Sequence, residues 1–271
     1  MTRSATVVEV RQAYKRGLAA AGGWGRARGA TVLIYHRVGG GTTDERDIAA
    51  AHFGAQLDEL SGRDVVGLDE ALRRADGGDD RPCVVLTFDD GFADVHTAAW
   101  PLLRERSLPF IVYLSTAYVG GTMHWDGSTA TAGGGHGLGW DQLAEMVAGG
   151  LCTVGNHTHT HCRPERLDAS ELDRCSDAVE RRLGARPRHF AWTWGVPVPA
   201  MRDAVAARFE SAATGRVGRH RPGDDPLALS RIPVRRTDPL PYFRAVVSGG
   251  LAPARTYDRT VRLAKRVGVR A

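Results

Sequence analysis

The chain has 271 residues, 42% of them hydrophobic, enough to bury a sizeable core as one large domain or two small ones. Lys and Arg number 36 against 31 Asp and Glu, a formal excess of +5, with basic residues scattered or on solvated helix faces such as 181–188. With no aromatic-interleaved basic patch, no nucleic-acid partner is expected, whereas an anionic small molecule stays compatible with the charge. The four cysteines (Cys83, Cys152, Cys162, Cys175) form no CxxC pair, and Cys83 and Cys152 read as small core residues in apolar runs. Glu9, Arg11, Lys15 and Arg16 interrupt the first apolar stretch, and no later run approaches the roughly 18 apolar residues of a membrane span. A cytoplasmic protein without a membrane partner is the expectation; nothing in the sequence sets an oligomeric state.

In chain order, residues 1–29 read as a helical N-terminal extension. A strand over 31–38 (TVLIYHRV) is followed by a helix over 49–61, a strand over 83–88 (CVVLTF) and a helix over 93–106. The strand 110–115 (FIVYLS) leads into the glycine-rich, aperiodic segment 120–139, an inserted loop of the kind that is functional or irregular in compact domains. Next come a helix over 139–149, a strand over 151–155 and the best-signed helix, 168–183. There Asp168 stands as N-cap, Glu171 three residues later as in a capping box, and Leu172, Cys175, Val179 and Leu183 share one face before Gly184. A strand over 189–192, a helix over 199–209, strands over 211–214 and 230–234 and a helix over 239–248 complete the pattern, with a basic tail over 251–271. Such alternation predicts an α/β fold with a parallel sheet of about seven strands, open or closed into a barrel, in a single domain over 30–250.

Chemistry is concentrated at two strand ends. In Thr87-Phe88-Asp89-Asp90-Gly91 two adjacent carboxylates follow an apolar strand, and alternation of side chains points them in different directions. One can hold a cation while the other faces a reacting molecule; by itself, a DDG turn closing a strand is also common. The second site is His157-Thr158-His159-Thr160-His161, three histidines in five residues. If extended, all three share one side; if the chain turns helically, His157 and His161 meet. Neutral imidazoles with a carboxylate make a donor set suited to Zn²⁺ with a fourth position open to water.

TFDDG at 87–91 followed by HTHTH at 157–161 resembles the first two motifs of the NodB-type polysaccharide deacetylases, carbohydrate esterase family 4. The likeness extends in order and spacing over about residues 30–250, through IYHRV at 34–38, WDQL at 140–143, LG at 183–184 and FAWTWG at 190–195. It implies a distorted (β/α)7 barrel with its site at the strands' C-terminal ends, as is general for such barrels. It further implies that Asp89 is the catalytic base, that Asp90, His157 and His161 bind the metal, and that His159 stays free. Trp194 takes the position whose backbone N–H lines the oxyanion site.

Two features depart from the family pattern. FAWTWG lacks the arginine that orients the base in members reading RxPYG, and it looks like a variant of FAYPxG. No late leucine–histidine motif supplies a general acid, and only His189 and His220 follow His161. His220, between Arg219 and Arg221, reads as an exposed loop residue whose pKa falls through like charge, so Asp89 is expected to return the proton it takes. Arg231, in LSRIPV, resembles a common C-terminal segment of the FAYPxG-like members and receives no role. His36 ends the first strand and can face the site; Trp125 in the long loop is a further substrate-facing candidate, and Trp140 joins Trp125 and Trp194 as a possible sugar-stacking ring. Trp192 reads equally as core, Cys162 as a minor rival ligand, and Asp94 as the cap of the helix after DDG. The expected function is N-deacetylation, or more broadly N-deacylation, of a cytoplasmic amino-sugar derivative: a nucleotide sugar, small glycoside or natural-product intermediate. A catalytically impaired sugar-binding module and an amidase for a non-sugar amide are the alternatives.

Overall fold

The computed structural model describes residues 3–22, 25–125, 127–128 and 135–266. Strand β1 (Ala30–Tyr35) is followed by the short pair β2 (Arg37–Val38) and β3 (Asp47–Ile48), then by β4 (Cys83–Phe88), β5 (Phe110–Leu114), β6 (Cys152–Asn156), β7 (His189–Ala191), β8 (Ser211–Ala213) and β9 (Ile232–Pro233). Seven of these form one sheet in the order β8-β7-β6-β5-β4-β1-β9, and all its pairings are parallel. The expected strands of the α/β barrel are therefore present, in a curled (β/α)7 sheet. In β1, β4 and β5 every residue is buried, as strands covered on both faces require.

The curl is drawn together by one segment. Leu229 pairs with the β8 edge, its N–H donating to Ala212 and its carbonyl accepting from Thr214, while Ile232 and Pro233 three residues on pair with Leu33 and Ile34 of β1. Ser230 and Arg231 thus sit where the two sheet edges approach, and Arg231 is sealed inside with 1% exposure. Gly155 on β6 leaves room for this interior: a Cβ there would lie 2.5 Å from the ring of Tyr113, over which the Arg231 guanidinium stacks at 5.5 Å.

Helices α2 (Ala50–Glu59), α3 (Leu68–Asp76), α4 (Trp100–Glu105), α5 (Trp140–Ala148), α6 (Ala169–Leu183), α7 (Arg202–Ala206) and α8 (Leu240–Ser248) make the crossovers. Asp168 caps α6 by accepting from the Glu171 N–H, and Gly184 ends it in the left-handed conformation. The Glu171 carboxylate does not complete the capping box; it accepts from Thr160 N–H in the histidine loop at 2.7 Å instead. Asp94 caps no helix with its side chain and pairs with Arg37 at 2.7 Å. Among the described residues no helix is long and apolar enough to cross a membrane.

The segments flanking 30–250 are helical where described. Helix α1 (Arg3–Gly22) packs on α8 and on α9 (Ala252–Arg266), which lies in the stretch read as a basic tail. Residues 1–2, 23–24 and 267–271 of those two segments, and 126 and 129–134 of the glycine-rich loop, lie outside the described residues. Lys15 docks α1: fully buried, it pairs with Asp238, donates to Thr237 Oγ1 at 2.9 Å and lies over the Tyr257 ring at 4.1 Å. Removing one member of a buried ion pair leaves the other charge desolvated and uncompensated, at a cost of about 3–5 kcal/mol. Lys15→Met is therefore expected to lower unfolding stability by about that amount in denaturant titrations. A change below about 1 kcal/mol would mean that the pair contributes nothing net to docking.

Candidate metal centre and catalytic pocket

The site forms where β1, β4 and β6 end. Asp89 continues the β4 ladder by donating its N–H to the Tyr35 carbonyl at 2.9 Å; Asp90 then takes a left-handed conformation, φ 75°, and Gly91 follows at φ 90°. Gly91 cannot be replaced cheaply, because a Cβ would stand 2.5 Å from Leu114 Cδ1. The reversal aims Asp90 at the histidine loop and leaves Asp89 facing the barrel axis.

That loop is anchored on α6 and β5. Asn156 donates to the Leu172 carbonyl and Ser176 Oγ while its Oδ1 accepts from Thr158 N–H. Ser115 Oγ donates to the His157 carbonyl and the Tyr118 hydroxyl to that of Thr160, both at 2.9 Å. His157 Nδ1 lies 2.8 Å from the Ala191 carbonyl; donation there leaves the Nε2 lone pair toward Asp90. His161 reaches the same carboxylate from the other end of the loop. Four of the five non-glycine residues at positive φ among the described residues are Asp90, Thr158, His161 and Trp194. Such conformations cost of order 1–3 kcal/mol each and persist where the surroundings impose them.

Asp90 Oδ1 lies 3.4 Å from His157 Nε2 and 3.3 Å from His161 Nε2, and ligand atoms of all three fall within 4.8 Å of one another, buried. Ligands about 2.0–2.2 Å from a tetrahedral zinc stand roughly 3.3–3.5 Å apart, so these residues fit one small divalent cation. Burial raises the Asp90 pKa, but the imidazoles of His157 and His161 beside it more than offset this and hold the carboxyl well below its ordinary range. His159 turns out of the cluster, its Nδ1 bonding Thr116 Oγ1 at 2.9 Å.

Asp89 has a different partner. Arg231 grips it bidentately, NH1 to Oδ1 at 2.7 Å and NH2 to Oδ2 at 2.9 Å, with Nε donating to the Thr214 carbonyl. Burial pushes the Asp89 pKa up, while the Arg231 charge, then His157 and the guanidinium hydrogen bonds, bring it below the ordinary value. The arginine missing from FAWTWG is thus present in space, supplied by the closing segment about 140 residues after the base. LSRIPV was the available signal: a lone arginine in an apolar run has to be paired if it is buried. Arg46 was also missed; it pairs with Asp44 at 3.0 Å, and its charge bears on both His36 and Asp90.

His36 stands in the electrostatic reach of Asp90 and Asp89, and its Nδ1 is buried without a hydrogen-bond partner. Burial lowers its pKa despite the two carboxylates. Trp125 is buried and stacks on the His161 ring, centroids 4.4 Å apart, and with Phe92, Tyr118 and Met123 it packs the described part of the glycine-rich loop onto the site. Trp194 is 37% exposed and meets His161 edge-on at 5.4 Å. Beside the cluster they line a cleft of about 460 Å³ with His124, Arg163 and Arg166.

Other candidates fall elsewhere. Trp140 begins α5 and packs against the main core, with Arg182 over its ring at 5.9 Å. Trp192 is core, edge-on to Phe190. Cys162 packs with Leu167 and Trp192, burial raises its thiol to about 11, and it does not join the Asp90–His157–His161 cluster. His220 is not an exposed loop residue: it is buried, its N–H and carbonyl pairing with Ala30 at the N-terminal end of β1, across the barrel from Asp89. Its pKa is lowered by burial, with Asp224 and Asp225 opposing, rather than by like charge.

A family model described as polysaccharide deacetylase matches residues 76–208, a span containing Asp89, Asp90, His157, His161 and Trp194. The structure of IcaB from Ammonifex degensii is 30% identical, with a TM-score of 0.70 over 82% of this chain and 97% of that one. A polysaccharide deacetylase from Bacillus cereus (20% identity, TM-score 0.68, 82% of this chain and 69% of that one) shares the fold. So does the Streptococcus pyogenes deacetylase PplD, solved in complex with acetate (20%, TM-score 0.64, 78% and 94%). No curated protein sequence matches significantly. With a relative at 30% identity spanned almost end to end and the family model covering both carboxylates and both cluster histidines, this chain belongs to the polysaccharide deacetylase family of hydrolases.

Proposed function

We propose that this protein hydrolyses the amide of an N-acylated amino sugar, releasing acetate or a related acid, with Asp89 as general base. The observation that carries the reading is the division of labour between two adjacent buried carboxylates. Asp90 is turned toward two imidazoles at ligand spacing, whereas Asp89 is held by a buried arginine. Asp90, His157 and His161 would hold a divalent cation, Zn²⁺ by donor type; such an ion polarises a carbonyl and acidifies water.

The chain's own groups supply the rest. Asp89, ionised and oriented by Arg231, accepts the proton of the attacking water and returns it to the leaving amine. In this proposal the Trp194 backbone N–H would serve the oxyanion, and its exposed indole with His124 offers a rim on which a sugar face can stack. His36, its pKa lowered by burial, would be a neutral hydrogen-bonding group beside the two carboxylates in this proposal. The arginine absent from FAWTWG favoured the impaired sugar-binding alternative; with Arg231 gripping Asp89, that argument lapses. The amino sugar is a small cytoplasmic glycoside or nucleotide sugar in this proposal. Acetate release from N-acetylglucosamine oligomers and from the nucleotide-linked monomer, compared side by side, tests both reaction and substrate size. Activity on neither rejects the amino-sugar reading.

Stoichiometry by elemental analysis is expected at one divalent ion per chain. Asp90→Ala and His161→Ala should lose it and His159→Ala keep it; metal lost with His159 but kept without His157 would overturn the ligand set. Asp89→Asn should retain metal and lose about 10²–10⁴ in kcat. His36→Gln keeps a hydrogen-bonding side chain without a titratable proton, so activity within about tenfold is expected, whereas a drop of 10²-fold or more would make His36 the acid.

Arg231→Leu should raise the Asp89 pKa, since burial then acts unopposed by the guanidinium, and shift the acid limb of kcat/KM to higher pH. The stability effect has a definite sign. In the parent, the depressed Asp89 pKa contributes stability above the unfolded carboxylate value, lost as pH falls through the folded one. In the variant the folded pKa lies above the unfolded value, so a penalty of about 3–5 kcal/mol at neutral pH should fade as pH falls toward about 4. A penalty independent of pH would mean that Arg231 acts through packing alone.

A further inference from the structure

A second cavity lies on the opposite face. It measures about 740 Å³ and is walled by the 216–221 loop on one side and by α9 on the other. His220 bonds Ala30 at the start of β1, and Arg221 pairs with Asp80 just ahead of β4, so the cavity sits at the strands' N-terminal ends, remote from Asp90. Arg219, Arg221, Arg255, Arg259 and Arg262 line it, and an adjoining cleft of about 250 Å³ shares three of these and adds Arg26 and Arg28.

The carboxylates here do not neutralise this set. Asp80 is taken by Arg221 and Arg28, Asp258 by Arg262 and Asp225 by Arg202, and Asp224 accepts from the Arg221 backbone N–H. Arg219 is partly buried and donates to neutral oxygens only: Thr31 Oγ1 at 2.7 Å and the carbonyls of Val246 and Gly249 at 2.6 and 2.8 Å. Burial and then the charge of Arg255 lower its pKa to about 10, so it stays cationic at neutral pH. Arg255 and Arg259 are exposed, and among the described residues their side chains have no hydrogen-bond or ion-pair partner. Three aspartates share the cavity, but Arg219, Arg255 and Arg259 have no carboxylate paired with them, and this net positive charge in a concavity favours an added anion. Several planar forks converging from two sides suit a tetrahedral oxyanion of charge two or more, and the volume is that of a small-ligand site.

We propose that this groove binds a phosphate-bearing ligand, either a soluble phosphate or diphosphate ester or the headgroup of an anionic phospholipid. Calorimetric titration of the metal-loaded, full-length protein with inorganic pyrophosphate at low ionic strength tests the site. Sedimentation with phosphatidylglycerol vesicles, against phosphatidylcholine vesicles, tests the lipid source. Arg255→Glu/Arg259→Glu reverses two solvent-facing charges without disturbing the Arg219 hydrogen bonds, and Arg255→Gln/Arg259→Gln is the milder version. The expected result is binding of at least one probe by the parent, weakened tenfold or more in the Glu pair and less in the Gln pair, with hydrolysis of the sugar substrate unchanged. Pyrophosphate binding without vesicle binding indicates a soluble ligand, and binding to anionic vesicles a headgroup. No binding of either probe overturns the proposal. So does binding that survives both double variants, or binding lost in Asp90→Ala but not in the Glu pair, which places pyrophosphate on the metal.

Discussion

Two neighbouring carboxylates sealed from water are the constraint around which this molecule is built. Asp89 is 5% and Asp90 2% exposed, and neither can stay ionised in such surroundings without its own compensation. The structure answers the two charges separately. Asp90 is turned by a left-handed backbone toward two imidazoles, and Asp89 continues the strand and meets a guanidinium. A single partner serving both would have left them equivalent; separate partners set one against two imidazoles and the other against a guanidinium.

Much of the remaining architecture serves this arrangement. Arg231 reaches Asp89 because the 229–233 segment spans the two sheet edges, so closing the curl and orienting Asp89 are one structural event. Gly155 admits the Tyr113 ring beneath the guanidinium, and Gly91 lets the chain pass Leu114. The strained loop from Thr158 to His161 is held by Asn156, Ser115, Tyr118 and Glu171, groups on three different elements. Backbone strain concentrated at ligand-bearing residues is sustained because the hydrogen bonds around them leave no relaxed alternative.

Glu171 illustrates how local and global demands are reconciled. Its position three residues after Asp168 suits a capping box, yet its carboxylate satisfies Thr160 N–H in the loop, while Asp168 alone caps the helix. A helix end tolerates half a cap at modest cost, whereas an unpaired N–H beside the site would free the loop that carries His161.

Local sequence determined what depends on period and on adjacency. The seven sheet strands were legible as apolar β-rich runs, α6 from its cap and stripe, and a carboxylate pair and a histidine triplet stood out just past strand ends; the choice of Asp90, His157 and His161 among them came from the family resemblance. Helix α3 lay outside the periodic reading, and the helical nature of α9 was hidden by its arginines. The tertiary structure alone decided everything that depends on distant residues meeting. Arg231 finds Asp89 across 142 positions, Lys15 finds Asp238 across 223, and arginines scattered through 26–28, 216–221 and 255–262 converge on one face. Charge carries no periodicity that reveals its partner: a lone arginine reads the same whether solvated or buried, and only the closing of the barrel sets which carboxylate, if any, stands opposite it.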